Sequence, residues 1–361
     1  MTKEELFSIK IEEPSSEIYA KMKAHWDSLA KPIDGMGDLE EIICRIGAAR
    51  GEEPEDLSKK VLAVFCADTK VVEEGVSQTR KEVTKQVAEL LGQGKSTVAV
   101  LTKGYPLTIL PVDVGIDCDE EIPGVWNRKV KKGAGNITKE PAMTEEECLA
   151  AIEAGMKIAE YCAKEGFQIV ATGEMGIGNT TTTTALYCAL TGENPEKITG
   201  RGAGLSDEGL FRKIRVVEDA LTLHGLNRQE REGQKFAFRA LCSVAGLDLA
   251  ALTGFFTGCA MFHTPVVIDG VISAVSALTA QRICPGTKEY MIASHRGRER
   301  ACEACLNDLG LSPVIDGKMA LGEGTGAVLL FPILDMVFDL YKSGTVFSDT
   351  EIRQYERFVK K

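Results

Sequence analysis

The sequence has no collagen-like glycine period, only 12 prolines in 361 residues, and no stripe rich in lysine or arginine. The first absence excludes a triple helix. With 44% hydrophobic and 26% charged residues, the chain has enough apolar material for a large core, and disorder is excluded as its main state. The 53 acidic residues outnumber the 42 basic ones, leaving a net charge of −11, so a nucleic-acid backbone is not an expected partner. The opening MTKEELFSIKIEE is charged throughout and does not resemble an export leader, which points to the cytoplasm. One stretch, Leu249 to Ile268, runs twenty residues without Asp, Glu, Lys or Arg. It contains Gly254, Gly258, His263 and Pro265, and it divides into a buried helix and a buried strand better than it spans a membrane.

Motifs for covalent hydrolysis and metal chemistry are also missing. There is no Ser-His-Asp spacing, no HExxH and no DxDxDG, so neither a metal nor another cofactor is expected. The eleven cysteines are odd in number and scattered, as suits reduced thiols. Cys302 and Cys305 form a CxxC without two further ligands at zinc spacing. They read as two small residues on one helix face, with a redox pair as the alternative. Gly92-Gln-Gly94-Lys95-Ser96 imitates the end of a phosphate-binding P-loop. The full motif needs glycine where Glu89 stands, and Val83 to Leu91 reads as a helix where a strand is required.

Glycine is in excess: 36 residues, about a tenth of the chain against roughly 7% on average. Eight glycines fall between Gly173 and Gly209, and five between Gly310 and Gly326. Glycines clustered beside polar residues mark places where backbone approaches a ligand.

Short apolar runs begin at residue 61. They are Val61–Ala67, Leu107–Val112, Gln168–Thr172, Pro265–Ile268 and Tyr290–Ala293, ending at Asp68, Asp113, Gly173-Glu174, Asp269 and Ser294-His295. Such runs suit strands buried on both faces. Helical segments lie between them, the clearest from Glu145 to Lys164 behind a Thr144/Glu147 capping box. The alternation predicts an α/β fold: a mostly parallel, Rossmann-like sheet with helices on both faces and ligands outside the carboxyl ends of the strands. Asp68, Asp113, Glu174, Asp269 and Ser294 would then gather at one edge. Residues 60–330 are expected to form this core. Residues 1–59 with 335–361 are expected to form a small helical subdomain, its tail from Asp349 to Lys361 a polar amphipathic helix.

Three glycine loops carry the chemistry. The first, Gly173-Glu-Met-Gly-Ile-Gly-Asn-Thr-Thr-Thr-Thr-Thr184, follows a strand and opens a helix. Free amides at that helix start favour an anion such as phosphate, and Asn179 and Thr180 add side-chain donors. The spacing is not a GxGxxG dinucleotide fingerprint. The second, Gly200-Arg-Gly-Ala-Gly204, precedes a helix bearing Lys213 and Arg215, which either reach a phosphate or lie solvated on the surface. In the third, Leu321-Gly-Glu-Gly-Thr-Gly-Ala327, a carboxylate stands between two glycines with no local counter-charge. Glu323 in that setting suits a general base. His295, beside Arg296, Arg298 and Arg300, reads as an anion-contacting loop or as a solvated helix start.

Taken together and in order, GEMGIGNTTTTTAL, GRGAGL, PVVIDG, the Ser294-His295 pair and LGEGTGA resemble the nicotinate-nucleotide–dimethylbenzimidazole phosphoribosyltransferases of cobamide (vitamin B12) assembly, over roughly residues 27–340. The resemblance implies a Rossmann-like fold, a homodimer, and transfer of phosphoribose from nicotinate mononucleotide to a benzimidazole-type base with inversion at C1′. It implies that Glu323 removes the azole proton and that Glu174 is a secondary carboxylate. Gly176, Gly178, Asn179, Thr180, Gly202, Gly204, Lys213, Asp269, Ser294 and Gly324 would hold the nucleotide, and Gln86, Met319 and Leu321 the base. The chain departs from the family pattern at Thr69-Lys70 and at Arg80-Lys81, both on the expected base side, which leaves base choice open. A nucleotide-binding relative that is non-catalytic or dependent on a partner chain is the alternative.

Overall fold

Every residue of β1 (Lys60–Ala67) is buried. Its side chains alternate between two cores. Val61, Ala63 and Phe65 enter one, and Leu62, Val64 and Cys66 the other. A strand covered on both faces needs apolar residues at every position, so the sequence shows a continuous run there and no alternation. The computed structural model describes residues 1–227 and 231–357. Five further strands continue this sheet: β2 (Thr108–Gly115), β3 (Trp126–Asn127), β4 (Ile169–Met175), β5 (Val266–Ile268) and β6 (Met291–Ala293). All pairs are parallel, in the order β3-β2-β1-β4-β5-β6. The order reverses direction between β1 and β4, the switch point at which doubly wound sheets open a crevice. A second, two-stranded parallel sheet joins β7 (His295–Gly297) to β8 (Ile315–Met319).

The chain opens with α1 (Lys3–Ser8), α2 (Ser16–Ser28) and α3 (Asp38–Arg50), and α4 (Glu82–Gly92) and α5 (Thr97–Leu101) follow β1. Between β3 and β5 come α6 (Glu145–Lys164), α7 (Asn179–Thr191), α8 (Pro195–Ile198), α9 (Asp207–Leu223), α10 (Gln234–Val244) and α11 (Leu247–Met261). The last helices are α12 (Val271–Ile283), α13 (Arg300–Leu309) and α14 (Thr325–Ser343). The predicted capping box starts α6. The uncharged stretch divides into α11 and β5, and no helix among the described residues is long and apolar enough to cross a membrane. Helices α6 and α11 meet backbone to backbone. A Cβ on Gly155 would lie 1.8 Å from the Ala251 carbonyl oxygen, and one on Gly254 1.9 Å from that of Ile152. These two glycines, outside the clusters, therefore serve packing.

The structure corrects the sequence reading in three places. The strands run past their apolar stretches: β2 includes Asp113, and β4 includes Gly173 and Glu174. The tail is not a helix. After a single 3₁₀ turn at Phe347–Asp349, residues 350–357 are irregular, and 358–361 lie outside the described residues. Its side chains are engaged elsewhere: Arg357 binds Asp27 and Asp34 together, and Gln354 donates to the Asp27 carbonyl. His295 does not stand at a solvated helix start. It is a buried strand residue, only 3% exposed. Cys302 and Cys305 are buried on α13 as free thiols.

Candidate active site

A cleft opens at the carboxyl ends of β4 and β5. It brings together Glu174, Gly176, Gly178, Asn179, Thr180, Gly202, Asp269, Met319, Leu321 and Glu323 from the three glycine loops and their neighbours. Three helices start at this cleft: α7, α12 and α14. Their N-caps are Gly178, Gly270 and Gly324, none of which supplies a side-chain cap. Glycine at the cap leaves first-turn amides for some other acceptor. At α14 that acceptor is Asp269, whose Oδ1 takes the N–H groups of Gly326 (2.9 Å) and Ala327 (3.0 Å). The end of β5 is thus tied to the loop that carries Glu323. At α7 and α12 the open ends favour an anion.

Glu323 stands in left-handed backbone (φ 57°), between Gly322 (φ 90°) and Gly324 (φ 82°). A non-glycine residue held there is strained and must be fixed by its surroundings. The loop lies directly on β4, where a Cβ on Gly173 would meet the Glu323 carbonyl at 2.9 Å. Oε2 of Glu323 accepts the Val98 amide from α5 at 3.0 Å. The carboxylate is half-buried and lines the cleft.

Glu174 reaches the same space from β4. A Cβ on Gly322 would come within 2.8 Å of its Oε1, so the two carboxylate-bearing segments touch through a glycine. Burial pushes the Glu174 carboxyl up to about 8. The Asn179 amide opposes that shift by donating to Oε2. The same amide also donates to Asp248 Oδ2 at 3.0 Å. Asp248 lies in the first turn of α11 and is likewise raised by burial, to about 6. It was missed in the sequence because it stands immediately before the long uncharged stretch, where it reads as a helix-start residue. Burial raises Asp269 too, against the pull of His295 and the backbone amides.

Lys213 projects from α9 with 1% exposure, and its Nζ donates to Thr180 Oγ1 at 2.8 Å and to the Gly200 carbonyl at 3.2 Å. Burial lowers its ammonium to about 8. It stands just behind Thr180 and Gly202, so a cleft anion at those residues would meet its charge. Arg215 is exposed on the same helix.

Other predicted residues lie beside the cleft. Gly204 is exposed and accepts from Gln78. Gly324 is buried against Leu62. Ser294 is buried behind His295. Gln86 lies on the exposed side of α4, whereas the next residue, Val87, lines the cleft. Of the five polar strand ends, Glu174 and Asp269 line the cleft. Asp113 instead caps the Gly115 and Ile116 amides, and Asp68 accepts from Asp117. The apolar wall of Val76, Val87, Met175, Ile177, Met319 and Leu321 offers a flat ring no charged partner. Only Met319 and Leu321 of these were singled out in the sequence; Met175 and Ile177 stand within the first glycine loop, and Val76 and Val87 reach the cleft from separate segments.

A phosphoribosyltransferase family model matches residues 11–352. A nicotinate-nucleotide–dimethylbenzimidazole phosphoribosyltransferase of Ruminiclostridium cellulolyticum is 39% identical over 356 residues, 99% of this chain and 99% of its own. One from Acetivibrio thermocellus is 40% identical over 330 residues, covering 91% of this chain and 92% of its own. A crystal structure of the enzyme of that name from Thermus thermophilus superposes with a TM-score of 0.84 at 34% identity, over 93% of this chain and 98% of the other.

Proposed function

The chain belongs to the nicotinate-nucleotide–dimethylbenzimidazole phosphoribosyltransferases, and from that premise we propose how its cleft performs the transfer. The protein is a pentosyltransferase of cobamide lower-ligand synthesis. It moves phosphoribose from nicotinate mononucleotide to dimethylbenzimidazole.

In our reading, phosphate rests on the open start of α7 with Gly176, Gly178, Thr180 and Gly202, and Lys213 supplies the counter-charge from behind. The base lies against Met319, Leu321 and Val87. Its unprotonated ring nitrogen attacks ribose C1′ from the face opposite nicotinate. The C1′–N bond breaks, and its electron pair returns to the pyridinium nitrogen, which becomes neutral. Glu323 takes the N–H proton of the azolium that forms, giving α-ribazole 5′-phosphate and free nicotinate. Because the leaving group discharges its own positive charge, positioning and one proton transfer carry the catalysis. Asp269 and, once it has lost its proton, Glu174 face the cationic ring and the positive charge that grows at C1′.

The observation that carries this assignment is the Gly322-Glu323-Gly324 turn, which holds a carboxylate in left-handed backbone at the cleft beside an apolar wall. The test is product formation by the purified chain alone. Nicotinate and α-ribazole phosphate should appear together when nicotinate mononucleotide and dimethylbenzimidazole are supplied. Binding without release of nicotinate would favour the non-catalytic or partner-dependent alternative. The apolar wall predicts dimethylbenzimidazole ahead of adenine when both are offered, because burying adenine's amino group there would leave it unpaired.

A homodimer is proposed through α5 and α14, where Val100 (62% exposed), Leu101, Leu329, Met336 (74%) and Leu340 leave apolar surface open. The small helical subdomain expected of residues 1–59 with 335–361 is proposed for α2, α3 and the end of α14, with residues 358–361 outside the described residues. The eleven unpaired cysteines, ten of them buried, support work in the cytoplasm.

A further inference from the structure

Asn179 is the first residue of α7, and its side chain reaches two carboxyl groups at once. The amide nitrogen donates to Glu174 Oε2 and to Asp248 Oδ2, the second bond 3.0 Å long. A primary amide has two hydrogens on its nitrogen, so both are spent. The reverse orientation would set the amide oxygen against two carboxyl oxygens, and only a proton on both acids together could relieve it. The nitrogen therefore faces inward, and Oδ1 is the atom left over. Among the described residues nothing donates to Oδ1, yet the atom is not enclosed, and Asn179 lines the cleft.

Asp248 lies behind the cleft wall, with 2% exposure. The first glycine loop covers its bond to Asn179. A Cβ on Gly176 would lie 3.2 Å from Asp248 Oδ2 and 3.3 Å from Asn179 Nδ2. The Asn179 backbone is fixed as well, its N–H donating to the Gly176 carbonyl at 3.1 Å. A hydrogen bond to a carboxylate, closed off from water in this way, holds an amide more firmly than an exposed neutral one.

We propose that Asn179 Oδ1 receives a ribose hydroxyl of nicotinate mononucleotide, and that Asp248 is the positioning residue that turns this oxygen toward the nucleotide. The phosphate dianion and the pyridine carboxylate only accept hydrogen bonds, and the pyridinium ring has no N–H. The two ribose hydroxyls are the donors this nucleotide carries. Asn179 stands between Gly178 and Thr180 of the proposed phosphate corner, and the sugar is the part of the substrate joined to that phosphate. The N–H of the incoming base is the other donor in the reaction, and it goes to Glu323. The donor role expected of the Asn179 side chain toward phosphate is thereby reversed. The proposal rests on nicotinate mononucleotide being the substrate.

The test measures affinity, in the absence of base, for nicotinate mononucleotide and for its 2′-deoxy and 3′-deoxy analogues. Wild type, Asn179→Ala, Asp248→Ala and Lys213→Ala are compared. Wild type should prefer the full nucleotide about three- to tenfold over the analogue that lacks the bound hydroxyl. Asn179→Ala should bring that preference to within about twofold. Asp248→Ala removes one of the two acceptors that hold the amide, so its preference should fall between those two values, and it carries the test if Asn179→Ala does not fold. Lys213→Ala should weaken all three ligands and keep the wild-type preference. A preference unchanged in the Asn179 and Asp248 variants, even with every ligand weakened, would make both residues structural and overturn the proposal. A wild type indifferent to both hydroxyls would overturn it as well. If wild type itself fails to bind nicotinate mononucleotide, the functional reading falls together with this inference; if wild type binds and only the hydroxyl preference is missing, this inference alone falls.

Discussion

On one side of the cleft, the Lys213 ammonium is buried against a hydroxyl and a carbonyl oxygen, and burial pulls its proton affinity down to about 8. On the other, Glu174 and Asp248 are buried around a single shared amide, and burial pushes their affinities up to about 8 and about 6. Both walls hold ionisable groups out of water without a matched ion partner, an arrangement that costs folding stability and suits a site awaiting a charged ligand. In the proposed reaction the lysine would meet the phosphate, and the acid wall the side of the cationic nicotinate ring. Glu323 differs from both: it is half-buried, and its place is set by strained backbone and one amide from Val98.

The largest effect should come from removing both acids. Glu174 lies one glycine away from Glu323, and it can act as a base only after losing its own proton. Residual turnover of Glu323→Gln should therefore rise as pH approaches and passes about 8. Adding Glu174→Gln should abolish that rise and leave turnover at background. A residual activity that does not change with pH would separate Glu174 from the proton transfer.

Lys213→Ala should weaken nucleotide binding by about 10- to 100-fold, with a smaller change in turnover at saturation. In wild type, nucleotide affinity should fall as pH rises above about 8, where the free lysine loses its charge. Titrations showing unchanged affinity would remove Lys213 from the phosphate site.

Gly322→Ala puts a Cβ within 2.8 Å of Glu174 Oε1 in left-handed backbone. It should cost about 1–2 kcal/mol of stability and roughly tenfold in turnover, read by thermal melting and initial rates. A fully active variant would show that the two carboxylate segments need no close contact.

The smallest predicted effect is a stability trend in which the two walls run in opposite directions. An unfolded glutamate loses its proton near about 4.3, whereas folded Glu174 keeps it to about 8. Between those values the folded chain binds more protons than the unfolded one, so stability falls as pH rises. Folded Lys213 loses its proton near 8 and the unfolded lysine near about 10.4, so its contribution rises with pH across that interval. Denaturant titrations of Glu174→Gln should show the variant gaining on wild type from pH 5 to 8. A constant difference would mean that Glu174 is not held protonated.

Much of the fold was legible because two physical patterns are local. Strands covered on both faces, such as β1, must be apolar throughout, and helix starts such as Thr144/Glu147 announce themselves within four residues. The Glu323 turn was legible for a similar reason, since glycines on both sides mark an unusual backbone path. What escaped was long-range. Nothing near Asp248 in sequence indicates that it meets Asn179, and the Val98 amide that holds Glu323 comes from 225 residues away. The short β7–β8 sheet lacks an apolar run, with four exposed residues among its eight. The tail misled because its alternating charges imitate a helix face, although Arg357 is spent on Asp27 and Asp34.

The most direct measurement is nicotinate release by Glu323→Gln at pH 7, with saturating nicotinate mononucleotide and dimethylbenzimidazole, alongside the nucleotide affinity of the same variant. If Glu323 removes the azole proton, release should fall by about a hundredfold or more while affinity stays close to wild type. Release at the wild-type rate would contradict the account.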